Sequence, residues 1–183
     1  MRSNKKMQTK IDSFMWMFIF IGIFTLPMCK ENTSNANNVQ LKSTVDKIVV
    51  HKSKREMIVL KNDSILKIYK IALGSNPIGK KQFQGDMKTP EGEYTINSKN
   101  PQSAYFLNLG ISYPNANDLN FAKRNNKSAG GDIKIHGLPN GSGAIGRAHL
   151  LSDWTHGCIA VTNEEIKELY ESVPIGTPIQ ILP

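Results

Sequence analysis

The segment from Asp132 to Asn163 (DIKIHGLPNGSGAIGRAHLLSDWTHGCIAVTN) holds three of the four histidines, His136, His149 and His156, and one of the two cysteines, Cys158. A thiol is a weak nucleophile until a nearby base or positive field generates thiolate. Histidine and cysteine clustered in a glycine-rich stretch are therefore what a cysteine acyltransferase needs. Gly157, directly before Cys158, has no Cβ and lets main-chain amides approach a developing oxyanion. Two other readings use the same residues: Cys158 with two of the three histidines could ligate zinc, or the thiol could be buried and inert. The single residue between His156 and Cys158 and the lack of a Cys-x-x-Cys pair argue against a metal. No cofactor motif stands out either, because the glycine-rich stretches lack phosphate-loop spacing. A papain-like site puts its cysteine ahead of its histidine, near a helix start; here His136 precedes Cys158, which opens a β-type run.

The elements that must position these residues read mostly as strands. Lys47–His51, Glu56–Leu60 and Ile65–Leu73 are short β-branched runs, and Lys61-Asn62-Asp63-Ser64 supplies the turn chemistry of a hairpin. Further strand candidates are Glu93–Asn97, Tyr105–Ser112, Asp132–His136, Cys158–Val161 and Pro178–Leu182. His136 thus sits at a strand end facing a loop, a common station for site residues. One segment predicts a helix, Glu164–Val173: Ile166, Leu169, Tyr170 and Val173 repeat at helical spacing, and Thr162 and Glu165 occupy capping-box positions. Asn115–Lys127 is too polar to assign, and no repeat of 20–50 residues is visible. The expected architecture is mostly β, a sandwich or barrel-like pair of sheets with one or two short helices.

Ahead of this region the chain changes character. Arg2, Lys5, Lys6 and Lys10 precede a nearly unbroken apolar run, Phe14–Leu26, that ends at Pro27. The run is too short for a comfortable membrane span and fits a secretory signal, so export is expected. Residues 1–29 read as that signal, 30–46 as a polar, Asn-rich linker, and 47–183 as the folded domain. Setting aside four cations and one anion in residues 1–29, the remaining 19 Lys+Arg and 14 Asp+Glu leave a net charge of +5. Such a surface suits an anionic polymer or a headgroup layer, and nothing in the pattern supports a nucleic-acid partner. With 39% hydrophobic and 21% charged residues, the chain is neither a disordered tail nor a polytopic membrane protein.

His136-Gly137 followed by Thr155-His156-Gly157-Cys158 resembles the catalytic motif of the L,D-transpeptidase (YkuD-type) family: His-Gly, a spacer, then Ser/Thr-x-Gly-Cys. Upstream, Thr89-Pro90-Glu91-Gly92 resembles that family's Thr-Pro-x-Gly turn before a strand, and the likeness extends over Lys47–Pro183. The resemblance implies a YkuD-like β-sandwich acting on peptidoglycan stem peptides in the cell envelope, without metal or organic cofactor. It implies Cys158 as nucleophile and His136 as proton acceptor and donor. Amides at Gly157 and Cys158 would meet the oxyanion, and the Gly137 carbonyl would orient the imidazole. His149, His156 and Thr155 are secondary candidates. Trp154 and Tyr113 are large enough to line a groove or are plain packing; Asp153 orients an imidazole or caps its loop. Cys29, after Leu26-Pro27-Met28, resembles a lipobox cysteine, although Met28 replaces the usual small residue, which makes a lipid anchor in a membrane a further expectation. Many members carry Arg two positions after the cysteine, where this chain has Ala160. Asp153–Ala160 resembles a branch reading Asp-Trp-Thr-x-Gly-Cys-Ile-Ala, which includes transpeptidases; a related subgroup hydrolyses links between peptidoglycan and lipoprotein. Hydrolysis on the same fold, or wall binding without catalysis, are the alternatives.

Overall fold

Strands β1 (Lys47–His51), β2 (Glu56–Lys61), β3 (Ser64–Lys70), β4 (Gly92–Ser103), β5 (Phe106–Ile111), β6 (Lys134–His136), β7 (Ile159–Ala160) and β8 (Pro178–Leu182) form one curled sheet in the order β3-β2-β1-β8-β4-β5-β6-β7. They are seen in a computed structural model, which describes residue 41 and residues 43–183. Helices α1 (Ala116–Arg124) and α2 (Asn163–Ser172) and a 3₁₀ segment, Gly143–Leu151, complete the fold. The expected signal segment, the cysteine at position 29 and most of the expected linker lie outside the described residues. Among the described residues, no helix is long and apolar enough to cross a membrane.

Alternation along the strands builds the core. Ile48 and Val50 of β1, Met57 and Val59 of β2, and Ile179 and Ile181 of β8 are buried, while their neighbours in each strand are more open. This is the period-two signature of a sheet with one packed face. Val45 belongs to the same core and its amide donates to the Ser172 carbonyl, so packing begins just before Lys47. Asn62 and Asp63 both have positive φ, as a two-residue type I′ hairpin turn between β2 and β3 requires.

Strand β4 links the two halves of the sandwich. Gly92–Thr95 pair with β8, and Ile96–Ser103 pair with β5 through two register irregularities. Its polar second half carries no strand signal of its own; pairing with β5 imposes the conformation, which is why the observed strand outruns the expected Glu93–Asn97. The C-terminal strand β8 inserts between β1 and β4, parallel to the first and antiparallel to the second.

Helix α2 starts as expected: Thr162 accepts from the Glu165 amide at 3.2 Å and the Glu165 carboxylate accepts from the Thr162 amide at 2.9 Å. Ile166, Leu169 and Val173 are fully buried, and the helix lies against β5 and β6. Tyr170, the fourth member of the apolar stripe, is only partly buried. Helix α1 occupies the segment too polar to assign. Its ordering is polar: Asn115 accepts from the amides of Asn117 and Asp118, and buried Asp118 binds Tyr94 Oη at 2.9 Å and Lys80 Nζ at 2.8 Å. Tertiary hydrogen bonds replace the apolar stripe that sequence reading relies on.

Removing the α2 cap checks this account. Thr162→Ala is expected to cost about 1 kcal/mol and to lower the urea midpoint without changing the slope of the transition, whereas Thr162→Ser stays near wild type.

Candidate active site

The two ends of the sheet meet at the cysteine-bearing segment. Just past β3, Ala72 exchanges hydrogen bonds with Ala160 of β7, its amide donating at 3.0 Å and its carbonyl accepting at 2.8 Å. The Thr155 amide donates to the Leu73 carbonyl and the Ser75 amide to the Thr155 carbonyl. On its other side β7 pairs in parallel with β6, Ile135 opposite Ile159 and His136 opposite Ala160. Cys158 therefore enters β7 beside the strand that ends in His136.

Three side chains hold the loop before Cys158. Thr155, buried, accepts from the Gly157 amide at 3.1 Å and donates to the Cys158 carbonyl at 2.8 Å. Asp153 receives Arg55 (Nη2 at 2.7 Å, Nε at 3.1 Å) and the Leu73 amide at 2.9 Å. It clamps the loop to the end of β3, its carboxylate held by Arg55 and the Leu73 amide and by no imidazole among the described residues. Thr89, fully buried in the Thr-Pro turn, accepts from the Gly74 amide at 3.0 Å. Gly157 has φ +126°, and a Cβ there would stand 2.5 Å from the Lys88 carbonyl oxygen. The glycine admits this close backbone approach of the Thr-Pro segment. Its amide, expected to face an oxyanion, is instead engaged by Thr155 Oγ1.

Cys158 and His136 line one cavity of about 480 Å³, together with Asn108, Tyr105, Asp132, Lys134, Trp154 and His156 among others. His136 is buried, and its Nδ1 lies 2.7 Å from the Gly137 carbonyl oxygen. Donation of Nδ1–H to that carbonyl leaves Nε2 as the basic nitrogen. Burial pulls the imidazole pKa down to about 4, against the Gly137 carbonyl, with help from the charges of Lys134 and His149. Burial pushes the Cys158 thiol above its usual range, opposed mainly by the Lys134 main-chain N–H, and the thiol reaches toward the Asp132 carbonyl at 3.6 Å. At rest the site holds a neutral imidazole and a protonated thiol.

The other candidates separate. His156 is exposed and lines both this cavity and a neighbouring groove with Lys81, Gln84 and Ser128. His149 is buried away from the cavity with neither ring nitrogen hydrogen-bonded; it stands edge-on to Trp154, 6.4 Å between centroids. Trp154 lines the cavity, and Tyr105 packs on His136 at 4.5 Å. Tyr113 is core: buried against Tyr94, it donates to the Ala129 carbonyl. Among the described residues, no three His, Cys, Asp or Glu side chains gather as a metal ion requires. Sequence reading missed Tyr105, Asn108, Lys134 and Arg55. Lys134 was within reach of it, two positions before His136 and so on the same strand face; Tyr105 and Asn108 arrive through β4–β5 pairing and carried no local signal.

Residues 46–181 match the model of the L,D-transpeptidase catalytic domain, YkuD, and the chain belongs to that family. YafK of Escherichia coli (strain K12), assigned by name to the L,D-transpeptidases, is 34% identical over 111 residues, covering 60% of this chain and 37% of YafK. YqjB of Bacillus subtilis (strain 168), named likewise, is 26% identical over 137 residues, 73% of this chain and 69% of YqjB. Among solved structures, the helical cell shape determining protein Pgp2 from Campylobacter jejuni superposes with a TM-score of 0.57 at 27% identity, covering 79% of this chain and 50% of Pgp2. Bd1075 of Bdellovibrio bacteriovorus gives 0.54 at 27% identity, over 78% and 52% of the two chains. The chain thus spans little more than a third of YafK and about half of Pgp2 and Bd1075.

Two measurements test the geometry. Gly157→Ala is expected to cost at least about 2 kcal/mol, from positive φ and the Lys88 clash together, read as a lower melting temperature and slower Cys158 alkylation. The second concerns pH. The folded state favours neutral His136, so its contribution is complete above the ordinary histidine pKa of about 6.5 and is lost as pH falls from there toward 4, by at most about 3 kcal/mol. Urea titrations at pH 7 and 4.5 should show this acid-side loss, and His136→Gln should flatten it.

Proposed function

We propose that this chain is a peptidoglycan L,D-transpeptidase whose acyl-enzyme forms on Cys158. The observation that carries the reading is the meeting of the Cys158 thiol and the His136 imidazole in one cavity, with Nδ1 committed to the Gly137 carbonyl so that Nε2 is free to accept a proton. Nε2 takes the thiol proton as sulfur attacks the carbonyl that links an L-configured centre to a terminal D-amino acid in a stem tetrapeptide. The tetrahedral intermediate collapses to a thioester, and imidazolium returns the proton to the departing D-alanine. An amine of a neighbouring stem then attacks the thioester, giving a cross-link and restoring the thiol. With the Gly157 amide held by Thr155, the Cys158 amide is the oxyanion donor in this reading, a role worth roughly 3 kcal/mol when preorganised.

Several features support the reading. The family is that of L,D-transpeptidase catalytic domains. Pgp2 is described as determining helical cell shape, which is consistent with wall remodelling as the setting. The N-terminal basic and apolar pattern fits delivery to the cell envelope, where the polymer lies, and Cys29 would be the point of lipid attachment to a membrane. We also assign Asp153–Ala160 to the branch that has alanine where other members have arginine. A specific observation favours weighing hydrolysis as the second reading: Ala160 is fully buried between His136 and Ala72, so β7 supplies no cation to the site.

Incubating the protein with disaccharide-tetrapeptide and following products and intact mass tests both. Loss of D-alanine, a transient adduct on Cys158 and a cross-linked dimer are expected, and Cys158→Ala abolishes all three. D-Alanine release without dimer makes the chain a carboxypeptidase; activity surviving in Cys158→Ala overturns the thiol mechanism. In parallel, His136→Ala should slow Cys158 alkylation at neutral pH by an order of magnitude or more, and an unchanged pH profile removes His136 as the base.

A further inference from the structure

Lys134 is the only Lys or Arg among the described residues that line the Cys158 cavity. It precedes His136 by two residues in β6, so its side chain leaves the strand on the imidazole's face. Its Nζ stands 2.7 Å from Asp132 Oδ1, a carboxylate whose side chain is 82% exposed. An ion pair so open to water is weak and exchanges readily for another carboxylate. Two other cations are held by better-buried carboxylates: Arg55 by Asp153 and buried Lys81 by Asp86.

We propose that Lys134 Nζ receives the free carboxylate of the acyl donor's leaving residue, exchanging Asp132 for it, and so selects donors that end in a carboxylate. In such a donor the carboxylate lies roughly 4 Å beyond the attacked carbonyl carbon, within the span between the thiol and a lysine side chain on the adjacent strand. The identity of the donor rests on the acyl-transfer reading above. The attraction of carboxylates to the thiol's surroundings does not, which allows the two to fail separately.

The test compares alkylation of Cys158 in the full chain by iodoacetate, which carries a carboxylate, and by iodoacetamide, its neutral isostere, with Cys158 followed by peptide mass spectrometry. The ratio of the two rates cancels any change in thiolate fraction. Relative to a small free thiol, the wild-type ratio is expected to be about fivefold higher, and 0.5 M salt should reduce it. Lys134→Gln returns the ratio to the free-thiol value, Lys134→Arg retains it, and Asp132→Asn raises it. A ratio that is the same in wild type and Lys134→Gln overturns the proposal, whatever the substrate. With tetrapeptide and its C-terminal carboxamide as donors, wild type prefers the carboxylate; Lys134→Gln loses the preference through a KM about tenfold higher while kcat holds. A preference that survives in Lys134→Gln equally overturns the assignment. If neither peptide acylates Cys158 while the alkylation ratio behaves as expected, the peptidoglycan reading fails and carboxylate selection by Lys134 stands.

Discussion

The site depends on one closure: the reciprocal hydrogen bonds between Ala72 and Ala160 that join the two ends of the sheet. A two-residue strand such as β7 has little stability alone. Held by β6 on one side and by the chain leaving β3 on the other, it becomes a fixed platform for the residue before it, Cys158. The closure also buries the Ala160 side chain completely, between β6 and the chain leaving β3.

Around this platform, short polar side chains act on the backbone more than on each other. Thr155 gathers the Gly157 amide and the Cys158 carbonyl, Thr89 takes the Gly74 amide, and Asp153 takes the Leu73 amide while neutralising Arg55. Each satisfies a main-chain group in the tight junction where loops converge, and an unmade hydrogen bond in such a place costs more than a made one contributes. The outcome is a thiol and an imidazole held by the same strands yet both neutral at rest, because burial disfavours the charged form of each. Charge is confined to the rim, in Asp132 and Lys134, where water can stabilise it and a ligand can replace it.

The local physics was legible. Alternating β-branched runs predicted β1, β2 and β8 within a residue or so; Asn62-Asp63 predicted the hairpin; Thr162 and Glu165 predicted the start of α2. Cys158 and His136 stood out by residue type and context. What failed to show was whatever another segment decides. Helix α1 is fixed by Asp118 reaching Tyr94 and Lys80; the second half of β4 is extended because β5 pairs with it; the strand expected from Asp132 begins only at Lys134, Asp132 itself having positive φ.

By itself, then, the sequence determined the period of β1, β2 and β8, the one strong helix and which side-chain types are present for thiol chemistry, since these follow from side-chain type and short-range spacing. Only the tertiary structure decided that β8 lies at the centre of the sheet, that the Gly157 amide belongs to Thr155, and that His149 turns to Trp154 and away from the cavity. It alone brought Tyr105 and Asn108 to the opening that Cys158 and His136 share. The reason is range. Strand pairing and burial join residues far apart in the chain, and a local pattern says which face a residue takes but not what it meets there.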